Sequence, residues 1–68
     1  MAKTVVVDRV KLIAEMARQS LTCEELAQKA GVGRAAIWKM RKNKPVWRTT
    51  AGHVANALGV SVDSLKEG

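Results

Sequence analysis

Residues 21–40, L-T-C-E-E-L-A-Q-K-A-G-V-G-R-A-A-I-W-K-M, constrain the fold of this chain more than any other stretch. Thr22 opens a T-x-x-E capping box that Glu25 closes, a signature of a helix start. Leu26, Ala27 and Ala30 then fall on one helical face. Gly31 follows at the point where a helix stops on a residue that tolerates positive φ. A second helical run begins near Gly33 and turns Ile37 and Met40 inward. The segment therefore predicts two short helices, about 23–30 and 34–42, joined by a tight turn. Ala27 is small where the two helices must cross.

Two short helices joined by a three- to four-residue turn containing Gly make a helix-turn-helix. The second helix of this pair is basic. Residues 34–48 hold Arg34, Lys39, Arg41, Lys42, Lys44 and Arg48, half of the chain's 12 cationic residues, and no acid. The 6 acids, Asp8, Glu15, Glu24, Glu25, Asp63 and Glu67, all lie outside it. A net charge of +6 on 68 residues suits a polyanionic partner. Charge alone also fits an ordinary solvated face. Its placement on the second helix of this pattern favours nucleic acid.

At 68 residues the chain is one domain. A domain this small is only marginally stable alone. With no Phe or Tyr, the core must come from Leu, Ile, Val, Met and Ala, with two Trp. A single Cys rules out an internal disulfide and fits a reducing cytoplasm. No apolar run approaches the length of a membrane span or a signal-peptide core.

Residues 1–7 read as a flexible or extended N-terminal tail, and residues 8–68 as the domain. The tail's β-branched residues 4–7 fit a frayed end. The alternative is a short strand that joins a partner chain or packs over the bundle. Asp8 is a good N-cap for a first helix reaching about Gln19, and Val7 can staple against Leu12. Val10, Ile13, Met16 and Ala17 recur at helical spacing and are expected inward. Residues 43–48 read as a loop, because Pro45 bars continuation of the helix. Thr49 or Thr50 is expected to cap a fourth helix that buries Val54, Ala57 and Leu58 and ends at Gly59. Ser61 caps a last turn over about 62–66, with Leu65 inward. The expected fold is all-α: five short helices and no sheet.

At this point L-T-x-E-E-L-A-x-K-A-G-V over residues 21–32 and A-L-G-V-S-V-D-S-L over residues 57–65 resemble the phage repressor and Cro family of DNA-binding domains, also called the Xre family. The resemblance covers about residues 10–65. It implies a compact five-helix, lambda-repressor-like fold and transcriptional control through two-fold operators on double-stranded DNA. By position, Arg34, Ala35 and Lys39 match residues that meet base edges in the major groove. Arg34 suits a bidentate contact to guanine and Ala35 a thymine methyl. Thr22, Cys23, Gly33, Trp38, Arg41, Lys42 and Lys44 fall where the family touches the DNA backbone. Gly33 stands at the usual Ser or Thr cap, Cys23 at a position often held by Gln, and Arg41 at a common Glu. Trp38 replaces a small or polar residue and has three readings: packing on sugars, a wedge beside the groove, or folding back on Trp47.

Trp47 is either a lid over the core or a dimer contact. Val46, Trp47 and Val62 are the candidate dimer residues for a weak homodimer assembled on an inverted repeat. Cys23, near a helix start, is read as an exposed thiol without a role, with a redox switch as the alternative. His53 stands alone, so no metal site is expected. No catalytic residues and no cofactor are expected either. There is no nucleophile elbow, no Gly-rich phosphate loop and no H-E-x-x-H, and the adjacent Glu24 and Glu25 point apart.

The function expected from these readings is sequence-specific binding of double-stranded DNA by a small Cro-like transcriptional regulator of phage or mobile-element type. It would work in the cytoplasm, associated with the nucleoid. One rival is an accessory DNA-binding factor for recombination or DNA processing. The other is a protein-interaction module on the same fold, such as an antitoxin or an adaptor.

Overall fold

The computed structural model describes residues 3–66. In chain order the elements are β1 (Thr4–Val6), α1 (Arg9–Arg18), α2 (Cys23–Ala30), α3 (Arg34–Arg41), β2 (Pro45–Trp47), α4 (Arg48–Leu58) and α5 (Val62–Leu65). The five helices match the sequence reading; the small sheet does not.

Local chemistry sets most of the helix ends. The Asp8 carboxylate accepts from the Val10 and Lys11 N–H groups at 2.8 and 3.3 Å and starts α1. At α2, Thr22 and Glu25 close both halves of the capping box, at 2.9 and 3.1 Å. The N–H bond from Thr22, with the Thr22 hydroxyl adding to it, holds the Glu25 carboxyl below its ordinary value. Gly31 and Gly59, both at φ 73°, end α2 and α4 in the left-handed region that a side chain would strain. The Ser61 hydroxyl accepts from the Ser64 N–H and caps α5.

α2 packs against α3 and α4, while α1 lies against α3 and α5. The core they enclose is built from Leu12, Met16, Leu26, Ala27, Ile37, Met40, Val54 and Leu58, closed by Leu65. Among the described residues no polar or charged side chain is buried. Packing of aliphatic surface is therefore what holds the helices in place.

Three sequence expectations are corrected. First, β1 and β2 form an antiparallel pair with Thr4 opposite Trp47, Val5 opposite Val46 and Val6 opposite Pro45. Pro45 can sit in this ladder because it occupies the strand's first position. Val7 then bridges to Lys66 and is buried. The segment before Asp8 is thus part of the domain from Thr4 onward, while Met1 and Ala2 of the expected tail lie outside the described residues. Second, β2 runs straight into α4 through Trp47, which occupies the N-cap position without a side-chain bond. Thr49 and Thr50 fall inside the first turn instead of capping it. Third, α1 is rotated relative to the expected register. Leu12 and Met16 are buried, whereas Val10 is 66% and Ile13 40% exposed. Two bonds pin the start of α1: the Asp8 N–H donates to the Leu65 carbonyl at 2.8 Å and the Arg9 N–H to Asn43 Oδ1 at 2.9 Å. With the start fixed there, the larger Leu12–Met16 stripe faces the core.

The burial of Val7 is directly testable. Val7→Ala should lower the unfolding free energy by about 2 kcal/mol in a urea titration, through lost apolar burial and the space left behind. No change would mean that the residues before Asp8 fray.

Candidate nucleic-acid interface

The α3 helix divides cleanly. Ile37 and Met40 are buried and Ala36 and Arg41 half-buried, while Arg34, Ala35, Trp38, Lys39 and the C-cap Lys42 are exposed. At about 100° per residue these five outward positions span an arc of about 140°. Ala35, Trp38 and Lys42 lie at its middle, Arg34 and Lys39 at its two edges. Burial of the opposite side in the aliphatic core is what aims this face at solvent.

The resemblance puts Trp38 among the backbone-touching residues, at an exposed position of the second helix. It lies between Arg34 and Lys42 in the arc and is 52% exposed. Its ring is covered on one side by the Arg41 guanidinium, 5.4 Å from the ring centroid, a cation–π arrangement. Of its three sequence readings, folding back on Trp47 has no support in this geometry. Trp47 instead lines a separate groove of about 290 Å³ with Thr4, Ala36, Lys39, Pro45 and Thr50.

Arg41 also reaches across to α2, where its Nη1 donates to Cys23 Sγ at 3.1 Å. One guanidinium thus ties the end of α3 to the start of α2 and supports Trp38. It is less available to an outside phosphate than its sequence position implies. The neighbouring Thr22 hydroxyl is likewise engaged, in the cap of α2.

Beyond α3 the chain turns sharply at Asn43, whose φ is 56°. The Lys44 N–H donates to the Lys39 carbonyl at 2.9 Å, which closes the helix end. Lys44 and Arg48, next in the chain, are also exposed. At the other end, Gly33 gives α3 no side-chain cap. The Ala36 N–H turns back to the Gly33 carbonyl at 3.1 Å, and the Arg34 and Ala35 N–H groups face solvent or an anion, which the positive end of the helix dipole favours.

The expected dimer residues do not form one exposed patch. The Val46 side chain is only 5% exposed because it faces the core from β2, so it is not available to a partner. Val62 is half-buried against the core at the start of α5. Trp47 remains, 61% exposed, and it is not a lid over the core. Asn43, whose side chain receives the Arg9 N–H, was not singled out from sequence; an Asn after a helix is too common a signal. Neither was the exposed apolar face of α1.

Among the described residues no group of three or more His, Cys, Asp or Glu side chains is placed to hold a metal ion. Among them, too, no helix is long and apolar enough to cross a membrane. Compared with known proteins, the chain matches no protein-family model and no curated protein.

Proposed function

We propose that this protein binds double-stranded DNA sequence-specifically, with α2 and α3 working as a helix-turn-helix and α3 entering the major groove, as a small Cro-like transcriptional regulator. The observation that carries this reading is the outward arc of α3. It presents Arg34, Ala35, Trp38, Lys39 and Lys42 without a carboxylate, and Lys44 and Arg48, next in the chain, are also exposed. A helix of eight residues is about 12 Å long and 10–12 Å across, and the major groove is about 12 Å wide. The resemblance of residues 21–32 and 57–65 to the repressor and Cro family points the same way.

In this reading Arg34, at the first turn of α3, donates to guanine, Ala35 meets a thymine methyl, and Lys39 reads the far edge. Lys42, Lys44 and Arg48 hold phosphates, and the uncapped start of α3 takes another. Two copies on an inverted repeat, one helical turn apart, would double the few base pairs that one helix reads. With Val46 turned inward, free self-association is weak, and DNA supplies much of the assembly by holding two copies side by side.

The test separates reading from grip. Sites are first selected from random duplex DNA. Arg34→Ala should then cost about 1–3 kcal/mol on the selected site and relax preference at one base position. Lys44→Ala should weaken all duplexes about equally. Failure of the wild-type protein to bind any duplex at low salt would sink the proposal. An equal loss on every sequence with Arg34→Ala would move Arg34 to the phosphates.

A further inference from the structure

We propose that Trp38 is a specificity-determining residue of the α3 face, and that it reads the C5-methyl group of a pyrimidine, thymine or 5-methylcytosine, in the major groove. This rests on the DNA-binding reading above and adds which feature of a base pair the face selects.

A large aromatic side chain is unusual where Trp38 stands. It is 52% exposed on a helix face whose other outward residues are Arg34, Ala35, Lys39 and Lys42. A large apolar group left in solvent is the informative exception on a surface. The cations suit phosphates and base acceptors. An indole has one N–H donor and is otherwise apolar, so a phosphate gives it little. At about 100° per residue, Trp38 lies about 30° from the middle of the arc. A face laid into the groove turns its middle to the base edges and its borders to the sugar–phosphate walls. The apolar group that a base edge presents there is the C5-methyl of thymine. A methylated cytosine carries the same group.

The ring's surroundings weigh against the alternatives. Insertion between base pairs needs both faces of the ring. One face of Trp38 carries the Arg41 guanidinium, 5.4 Å from the centroid. That guanidinium is itself held, because its Nη1 donates to Cys23 Sγ on α2 at 3.1 Å. The indole keeps one open face and its edge, enough to cover a methyl and too little to intercalate. The same brace restricts the ring before binding, so less freedom is lost on contact. Packing on sugars would suit the border of the arc better than a place near its middle.

Arg34 precedes Trp38 by four residues, so the two side chains are neighbours on α3, with Cβ atoms about 5–6 Å apart. Four residues advance about 6 Å along the helix, under two base-pair steps of about 3.4 Å. With Arg34 on a guanine, the methyl falls within about two base pairs of it.

The experiment uses the full chain and its selected duplex. Each thymine in turn is replaced by deoxyuridine, which removes the methyl and keeps the pairing edge. Each cytosine is replaced by 5-methylcytosine, which adds one. Fluorescence anisotropy at fixed salt reads the affinity. One position per half-site should be methyl-sensitive, within about two base pairs of the guanine where Arg34→Ala relaxes preference. Loss of the methyl there should weaken binding about fourfold per half-site, the effect of one buried carbon. A site with cytosine at that position should gain as much from methylation. Trp38→Ala should bind the thymine and uracil duplexes equally, whereas Ala35→Ser should keep the difference. Trp38→Gln should behave like Trp38→Ala and carries the test if the alanine variant melts early. Three outcomes would overturn the proposal. One is a wild-type protein with no methyl-sensitive position near that guanine. Another is sensitivity that survives both Trp38 variants, which leaves the ring to the sugars. The third is sensitivity lost in Ala35→Ser alone, which gives the methyl to Ala35. All three leave duplex binding intact. Failure to bind any duplex at low salt would instead remove the DNA-binding reading, and this inference with it.

Discussion

Ile37→Ala is expected to lower the unfolding free energy by about 2–5 kcal/mol. Ile37 is fully buried, on the side of α3 opposite the basic arc. Truncation removes apolar contact and leaves a cavity that short, mutually braced helices cannot close. A domain of 68 residues has a total stability of about 3–10 kcal/mol at typical values per residue. The substitution therefore removes a large share of it. Urea unfolding followed by circular dichroism measures the change. A loss under about 1 kcal/mol would show that Ile37 does not anchor α3. The same residue orients the outward face, so binding through that face should fail at temperatures where the variant has melted, while Ala35→Ser leaves stability within about 0.5 kcal/mol.

The second large effect is on salt. In the proposed docking the exposed Lys42, Lys44 and Arg48 take phosphates, while Arg41 is occupied by Cys23 and Trp38. Three phosphates per chain give a slope of log affinity against log salt of about −0.9 × 3, or −2.7. Between about 50 and 200 mM salt, duplex affinity should fall about 40-fold for one bound chain and about 10³-fold for two. Fluorescence anisotropy with labelled duplexes reads both slope and stoichiometry. A slope near zero would remove the arc as a docking face. A slope steeper by about one unit per chain would mean that Arg41 leaves Cys23 to take a phosphate.

Where helix ends are set by neighbouring residues, the sequence is readable. Thr22 with Glu25, Gly31, Gly59, Ser61 and Asp8 each act within a few positions, and α2 comes out as Cys23–Ala30, the span they imply. Long-range pairing is not readable in this way. β1 and β2 are three residues each, with neither the length nor the turn signal of a hairpin, and their partners lie far apart. Missing that pairing also misplaced Val46, which turns inward only as part of a strand, and the start of α4, which begins at Arg48 because β2 delivers the chain there. The register of α1 was ambiguous for another reason. Leu12–Met16 and Val10–Ile13–Ala17 are both apolar at helical spacing. The bonds from Asp8 and Arg9 to distant residues, together with the packing of Leu12 and Met16 in the core, go with the register observed. The basic content of the candidate interface was evident from residues 34–48. The exposed place of Trp38 in the arc and the diversion of Arg41 to Cys23 depend on packing between α2 and α3.

The ladder between β1 and β2 also bears on when the molecule can finish itself. A ribosome makes Thr4 first and Trp47 about 43 residues later, a delay of about 2–9 s at ordinary elongation rates. Val7 waits longer still, since its bridge partner Lys66 is made about 59 residues after it. α2 and α3 pack from contacts close in the chain and need no such delay. For those seconds the three consecutive valines 5–7 are a sticky, strand-forming segment without its mate. Lys3 and Asp8 stand on either side of them, and charges so placed are what keeps a nascent strand from pairing with its neighbour on the next ribosome.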